Sequence, residues 1–321
     1  MADQHEGEIK HDIKSLNPDQ DVEKIWQMWQ TIFPKWPIDR QRMEVILHIR
    51  PDHHYVHEKG FCLSFLTDGP HGKVAAVGVL PEYRGKGLGT ALLEKAKAGL
   101  RNAAQSGVAG ELKSLEIGSQ VPRFWPQMPK DASPEVKDFF LHRGFRESTE
   151  PGARDLYKDV RNSIAPPEIM DRVSKTNIKF SPWSPELYEE CITKQRALFS
   201  WFRAYEVLAA HNQHQEVLVA FDPDTNAQIG WTLMCSPSSL ASNTYAFLPL
   251  VPSKERTGLI AAVGVDKSAR GKGVGLALVV KAMENLRERG VEGILIDSVF
   301  IRGFYEQIGF ETVWEYEPLV C

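Results

Sequence analysis

The sequence predicts an α/β protein built as two fused copies of one unit. Three observations carry this: a segment that recurs at a constant offset, a strand-sized apolar run that opens each recurrence, and a glycine-rich turn followed by helical periodicity that closes it. Residues 75–96 read AAVGVLPEYRGKGLGTALLEKA and residues 261–282 read AAVGVDKSARGKGVGLALVVKA; at an offset of 186, 14 of these 22 positions are identical. Such a density of matches marks a duplication, and two copies rather than a solenoid.

Length and composition agree. At about 150 residues per domain, 321 residues make two domains. The predicted division is a first domain over 1–160, a linker over 161–175 and a second domain over 176–321. Ordinary proportions of apolar (42%) and charged (25%) residues exclude a disordered or collagen-like chain. The longest apolar runs are strand-sized, well short of the ~20 residues of a membrane span. The polar start, MADQHEGEIKHD, lacks the apolar centre of a signal peptide. A net charge of −4 argues against a nucleic-acid partner. It falls wholly in residues 166–321, where 15 Lys+Arg face 19 Asp+Glu, and such a half tolerates a cationic ligand. Four widely spaced cysteines with no CxxC read as reduced thiols of a cytoplasmic protein.

In chain order, residues 21–33 and 40–49 carry apolar residues at helical spacing. Residues 73–80 form a buried strand, 84–89 a basic glycine loop and 90–100 a helix. Residues 161–173, with Pro166 and Pro167, read as the linker. The second copy opens with a short strand at 177–180 and helical material over 185–210. Its strand (258–265), loop (270–275) and helix (276–289, stopped by Gly290) follow, then a further strand over 293–299. His53, His54 and His57 lack a carboxylate or cysteine partner at metal-ligand spacing and read as structural, as do His211 and His214.

The loop carries the chemistry. A glycine turn from strand to helix exposes backbone N–H groups where the helix dipole adds partial positive charge, so a pyrophosphate can approach closely. A nucleotide P-loop needs GK followed by Ser or Thr, but Gly87 and Gly273 stand there. The dinucleotide fingerprint GxGxxG would need glycine at Thr90 and Leu276. What remains is Arg-x-x-Gly-x-Gly, present as Arg84, Gly85, Lys86, Gly87, Leu88, Gly89 and as Arg270, Gly271, Lys272, Gly273, Val274, Gly275.

At these residues the chain resembles the GNAT superfamily of acetyl-CoA-dependent N-acetyltransferases, whose pyrophosphate loop follows the pattern [Gln/Arg]-x-x-Gly-x-[Gly/Ala]. A second match is FYEQIGF over 304–310, similar to the family's FYxxxGF segment, whose tyrosine commonly protonates the departing thiolate of CoA. The first copy has FFLHRGF over 139–145, with Phe140 in place of the tyrosine. The resemblance implies two fused GNAT-like units, each a mixed twisted β-sheet flanked by helices, the second catalytic and the first degenerate or regulatory. It implies acetyl-CoA as cosubstrate, held by residues 270–275 and Leu276 after strand residues Val263, Gly264 and Val265. In the first copy the corresponding residues are 84–89 with Val79 and Thr90. It implies that a backbone N–H at a strand bulge, expected near Gly264, polarises the acetyl carbonyl, that Tyr305 is the acid, and that no metal takes part. Ser298 departs from the family's usual asparagine seven residues before the tyrosine. The general base is open among Asp266, Asp297, Glu216 and water. The insertion over 121–136 either folds over a cleft or is a proline-stiffened loop with its aromatics tucked in. The expected acceptor is a small-molecule amine such as a glucosamine-like amino sugar. The alternatives are a peptide or histone lysine, or a non-catalytic acetyl-CoA-binding module. A monomer is expected, because the repeat mimics a dimer.

Overall fold

The computed structural model describes residues 12–107 and 110–321; the polar stretch up to residue 11 lies outside them. The described residues form two compact units, one running up to Gly152 and including 316–321, the other of residues 153–315. In the first unit the order is β1 (Lys14–Ser15), α1 (Pro18–Ile32), α2 (Arg40–Ile49), β2 (Tyr55–His57), β3 (Gly60–Leu66), β4 (His71–Val79), α3 (Leu88–Ser106), β5 (Ser114–Ile117), β6 (Met128–Pro129), α4 (Pro134–Leu141) and β7 (Arg146–Glu147). The second runs through β8 (Arg154–Asp159), α5 (Pro167–Ser174), β9 (Lys179–Pro182), α6 (Tyr188–Leu198), α7 (Phe202–Ala210), β10 (Val217–Phe221), β11 (Gln228–Cys235), α8 (Leu240–Asn243), β12 (Thr257–Val265), α9 (Val274–Glu288) and β13 (Gly293–Val299). It ends in β14 (Glu311–Glu317), whose last two residues belong to the first unit, as does β15 (Leu319–Val320).

Each unit has a mixed sheet. The first is ordered β1-β2-β3-β4-β5-β15-β7, and the second runs β14-β8-β13-β12-β11-β10-β9. In each, one parallel pair (β4 with β5, β12 with β13) is flanked by antiparallel neighbours. A parallel pair needs a crossover, and α3 and α9 supply it. These helices turn an apolar stripe onto the sheet: Leu92, Leu93, Ala96 and Leu100 of α3, and Ala277, Val280 and Met283 of α9, are fully buried. Tyr316 and Glu317 extend β14 to pair with Met128–Pro129 of the insertion. That insertion takes the tucked-in form: Phe124 and Trp125 are buried and stack on Trp29 at 5.1 and 5.5 Å.

The domain boundaries differ from those predicted at 160 and 176. Arg154–Asp159 pairs with β13 and β14, so it belongs to the second unit. The expected linker is also part of that unit: Ile164, Ala165, Ile169 and Val173 join its apolar core. Two prolines mark the start of α5 rather than a flexible tether, since proline suits the first helical turn. Both glycine-loop helices begin two residues earlier than predicted, at Leu88 and Val274, directly after Gly87 and Gly273. The expected 185–210 helix is two helices, α6 and α7.

β15 closes the first sheet between β5 and β7, and Leu319 is fully buried there. Leu319→Ala should destabilise the first unit by about 2–4 kcal/mol, the range for truncating a buried leucine; urea unfolding followed by tryptophan fluorescence checks this, and a shift below ~1 kcal/mol would mean that β15 is dispensable.

Candidate active site

In the second unit β12 and β13 run parallel only from Thr257 opposite Gly293 to Ile260 opposite Ile296. Beyond that point both strands bulge. Trp231 pairs with Gly264 and Leu233 with Ala261, so Ala262 and Val263 stand opposite Thr232 alone. On the other side Ile296 pairs with Leu156 and Val299 with Arg154, leaving Asp297 and Ser298 opposite Asp155. Ala262 and Ser298 both take the left-handed backbone, each at φ 51°. A non-glycine residue there costs on the order of 1–3 kcal/mol, so the surroundings must hold it. They do. The Tyr205 hydroxyl donates to the Ala262 carbonyl at 2.7 Å, and Thr232 donates to the Ala261 carbonyl at 3.1 Å. The Ser298 N–H donates to the buried carboxylate of Asp155 at 2.8 Å. The bulge therefore lies two residues before the expected Gly264. That glycine serves packing instead, since a Cβ there would lie 2.7 Å from the Phe199 ring. Ser298 thus holds, as a serine, a positive-φ position of the kind that asparagine adopts more readily.

The strands part at a cleft of about 640 Å³, lined among others by Arg172, Phe199, Val263, Gly273, Tyr305 and Gln307. Gly271 and Gly273 have φ of 76° and 81°, with no atom within 4 Å of an added Cβ. No side chain caps α9, so the N–H groups of its first turn are left for a ligand. Val274 and Leu276 sink their side chains into the core and hold that turn in place. Gly275 packs where a Cβ would meet Val265 at 3.4 Å and Phe304 at 3.5 Å. These features fit a pyrophosphate: open space, backbone donors and the positive end of a helix. Arg270 ties the loop to the strand by donating from Nε to the Val265 carbonyl at 3.2 Å. Lys272 lines a neighbouring cavity with Lys175 and Ser268, not the cleft expected for it. Arg172, on the segment read as linker, lines the cleft instead.

Tyr305 enters the cleft from the segment after β13. It is buried, with Phe304 and Phe310 edge-on at 4.9 and 6.1 Å. Burial, and then the negative charge of Asp297, push its phenol well above the usual tyrosine value, so it stays protonated. The segment is held by Arg154, itself buried, which bonds Glu306 at 2.7 Å and the Ile301 carbonyl at 2.9 Å. Sequence reasoning missed Arg154 and Asp155. Their partners lie some 150 and 143 residues away, and a charged pair in RDLYKD reads as surface.

Two of the proposed bases are committed elsewhere. Asp266 caps the turn at 267–269, accepting from the Ser268 N–H at 2.9 Å and its hydroxyl at 2.6 Å, and these bonds lower its pKa. Glu216 is buried in a pair with Arg289 and accepts from the Ser236 N–H. Asp297 is the candidate that lies beside the splay, half-buried, with the Tyr245 hydroxyl 3.4 Å from its Oδ1. His54 is structural: its Nδ1 bonds the Ser64 backbone, and burial lowers its pKa to about 4.

The first unit repeats the frame with different chemistry. Its parallel pairing ends at Val74 opposite Ile117, and its cleft measures about 720 Å³. Gly85 and Gly87 have φ of 74° and 83°. Arg84 bonds the Val79 carbonyl as Arg270 bonds Val265. Of the residues assigned to the cofactor there, Leu88 is a core residue and Lys86 donates to the Glu82 carbonyl. Gly89 lies against Phe139, and the Thr90 hydroxyl accepts from Arg143. Phe140 sits between Phe139 and Phe145 as Tyr305 sits between Phe304 and Phe310. One residue past the last parallel pair stands Gly118, where the second unit has Asp297. β4 bulges at Ala75, but none of its described non-glycine residues takes a positive φ. The fourth residue of α2 is Met43, where α7 has Tyr205.

A strand splay, an anion-binding glycine loop and a buried phenol in one cleft define a group-transfer enzyme acting on a phosphate-bearing donor. The profile of the acetyltransferase (GNAT) family matches residues 22–117 and 176–310, and the chain belongs to that family. A mycothiol acetyltransferase from Rhodococcus erythropolis is 25% identical over 254 residues, which cover 75% of this chain and 73% of that protein. A solved structure described as a GCN5-related glucosamine N-acetyltransferase region of a fungal multi-domain GH3 β-N-acetylglucosaminidase superposes with a TM-score of 0.86 at 25% identity. That match covers 97% of this chain, which spans about 38% of the larger protein. A tandem GNAT protein from the clavulanic acid biosynthesis pathway shares the fold, with a TM-score of 0.66 at 15% identity over 97% of this chain and 98% of that one. The protein is an N-acetyltransferase of two GNAT units.

Tyr205→Phe removes the hydroxyl that holds Ala262. The expected result is a fall in kcat of about tenfold with KM for the donor within twofold, beside a stability loss of only ~1 kcal/mol for one hydrogen bond. Steady-state kinetics with thermal melts tests this; an unchanged kcat would show that the bulge stands without Tyr205.

Proposed function

We propose that the second unit transfers the acetyl group of acetyl-CoA to the primary amine of a small molecule, an amino sugar of the glucosamine kind, in a ternary complex. One observation carries the reading: Tyr305, the glycine loop and the strand splay meet in a single cleft of that unit. The mycothiol and glucosamine enzymes named among the relatives support the acceptor class, as does the acidity of the second half. The protein works in the cytoplasm, where its four free thiols stay reduced.

Acetyl-CoA supplies an activated acyl thioester. The N–H groups at the start of α9 receive its pyrophosphate, with Arg172 and Arg270 adding charge at the rim. The backbone beyond Ala262 presents an N–H to the acetyl oxygen as charge develops on it. Asp297 takes the proton of the attacking amine, and Tyr305 gives its proton to the departing sulfur. A phenol raised by burial remains a competent donor, because apolar surroundings raise a thiol as well. Burial pushes Cys191 and Cys235 up to about 12 in this same unit. Phe140 and Gly118 deny the first unit both proton carriers, so we assign it a binding rather than a catalytic role.

Tyr305→Phe should lower kcat by about 10²-fold, the low end for a lost general acid, and leave acetyl-CoA affinity within twofold. The wild-type pH profile follows from the acceptor amine and Tyr305. As pH rises the amine loses its proton, so kcat/KM climbs from pH 6 towards about 8–9. Tyr305, held protonated by its raised pKa, produces no falling limb below about pH 10. A bell centred near neutrality, with chemistry limiting, would remove Tyr305 as the acid.

Gly273→Glu sets a carboxylate against the pyrophosphate and should abolish turnover, while Gly87→Glu should leave turnover within threefold. Circular dichroism and turnover assays on both variants decide; the opposite pattern would place catalysis in the first unit.

A further inference from the structure

We propose that the first unit binds a medium-chain acyl-CoA, its acyl chain lying in an apolar lobe beyond the strand splay. This rests on the reading of the first glycine loop as a CoA site and adds the class of acyl group. The cleft of about 720 Å³ that holds Arg84, Gly85 and Gly87 adjoins a second cavity of about 330 Å³. The two share Ile32, Phe33, Val77, Ser133, Val136 and Phe140 as lining, and all but Ser133 are apolar. The shared wall lies where β4 leaves β5: Val77 is two residues beyond the bulge at Ala75, and Ile117 of the second cavity stands at the last parallel pair. A thioester whose pyrophosphate sits on the loop would aim its acyl end at this opening.

Past it, the lobe runs to Trp36, Trp125 and Met128. Its charged lining residues, Lys35 and Asp131, are exposed at the rim. In the second unit, polar groups serve the splay: Tyr205 bonds Ala262, and Asp297 stands by Tyr305. The first unit has Gly118 and Phe140 where the second has Asp297 and Tyr305, and the wall its two cavities share is apolar but for Ser133. An acetyl group gains little from such a lobe. At about 30 Å³ for a group the size of water, an eight-carbon chain needs about 240 Å³ and fits. Without a phenol at Phe140 the thioester stays intact, so the site holds its ligand without consuming it.

Each buried methylene strengthens binding by up to about fourfold. Allowing for the open mouth, octanoyl-CoA should bind the first unit at least ~30-fold more tightly than acetyl-CoA. The experiment is calorimetry on the full chain carrying Gly273→Glu, which leaves only the first loop, with CoA, acetyl-CoA and octanoyl-CoA. The expected result is one site with that preference, lost on adding Gly87→Glu. Ala132→Trp, which fills the lobe without touching the loop, should erase the preference and keep acetyl-CoA affinity within threefold. Should that variant misfold by circular dichroism, Val136→Asp, at an exposed position of the shared wall, should lower the preference below fivefold. No binding of any CoA species would overturn the reading of the loop itself. Equal affinity for acetyl- and octanoyl-CoA would overturn the acyl inference alone, as would octanoyl binding that survives Gly87→Glu or a preference that survives the filled lobe.

Discussion

A parallel strand pair that is made to stop early underlies everything else in the second unit. Four residues of β12 and β13 pair, and then both strands bulge at the same level. Hydrogen-bonded parallel strands lie about 4.8 Å apart, too close to admit a thioester. Parting them makes the space and frees backbone groups to face it. The cost is two non-glycine residues in left-handed backbone, and each is met by a buried group from another element: Tyr205 of α7 on one side and Asp155 of β8 on the other. The helix α7 and the strand β8 therefore have a definite task. They hold open what the sheet alone would zip shut.

The glycine loop depends on the same geometry. A pyrophosphate on the first turn of α9 is useful only if the acyl end reaches the splay, and the short turn from Val265 to Gly273 sets that span. Gly271 and Gly273 bend the chain through positive φ without side chains in the way, and Arg270 fastens the turn to the strand end. The first unit keeps this arrangement nearly intact, down to the Arg84 bond, while losing the phenol, the carboxylate and the tyrosine under the bulge. Binding geometry and proton chemistry are thus separable parts of the frame.

What could be read from the sequence follows the range of the interactions. The two strand–loop–helix cores were legible because glycine loops, apolar strands and the helices after them are set by neighbours in the chain. Tyr305 was legible through its FYxxxGF context, and the loop residues through their spacing. The bulge was placed two residues late because glycine is the usual signal for a bend, whereas here a distant hydroxyl stabilises an alanine. Arg154 and Asp155 were illegible for the same reason: a buried charge reads as surface until its partners in the 298–306 segment are known. The predicted linker failed on Pro166 and Pro167, which start a helix as readily as they end one.

The asymmetry between the units also bears on why a duplicated chain keeps both copies. Neutral decay of an unused copy would strike the glycine loop early, since Gly85 and Gly87 occupy backbone that other residues adopt only under strain, with φ of 74° and 83°. Yet the loop is whole, while the first unit has Met43, Gly118 and Phe140 where the second has Tyr205, Asp297 and Tyr305. Each replaces a polar group by an apolar or absent side chain. The ring of Phe140 keeps the edge-on packing of its tyrosine counterpart, and Met43 remains fully buried, so the fold is retained while polarity is removed. That pattern is the one expected of a cleft that has kept a donor-shaped ligand and given up the reaction.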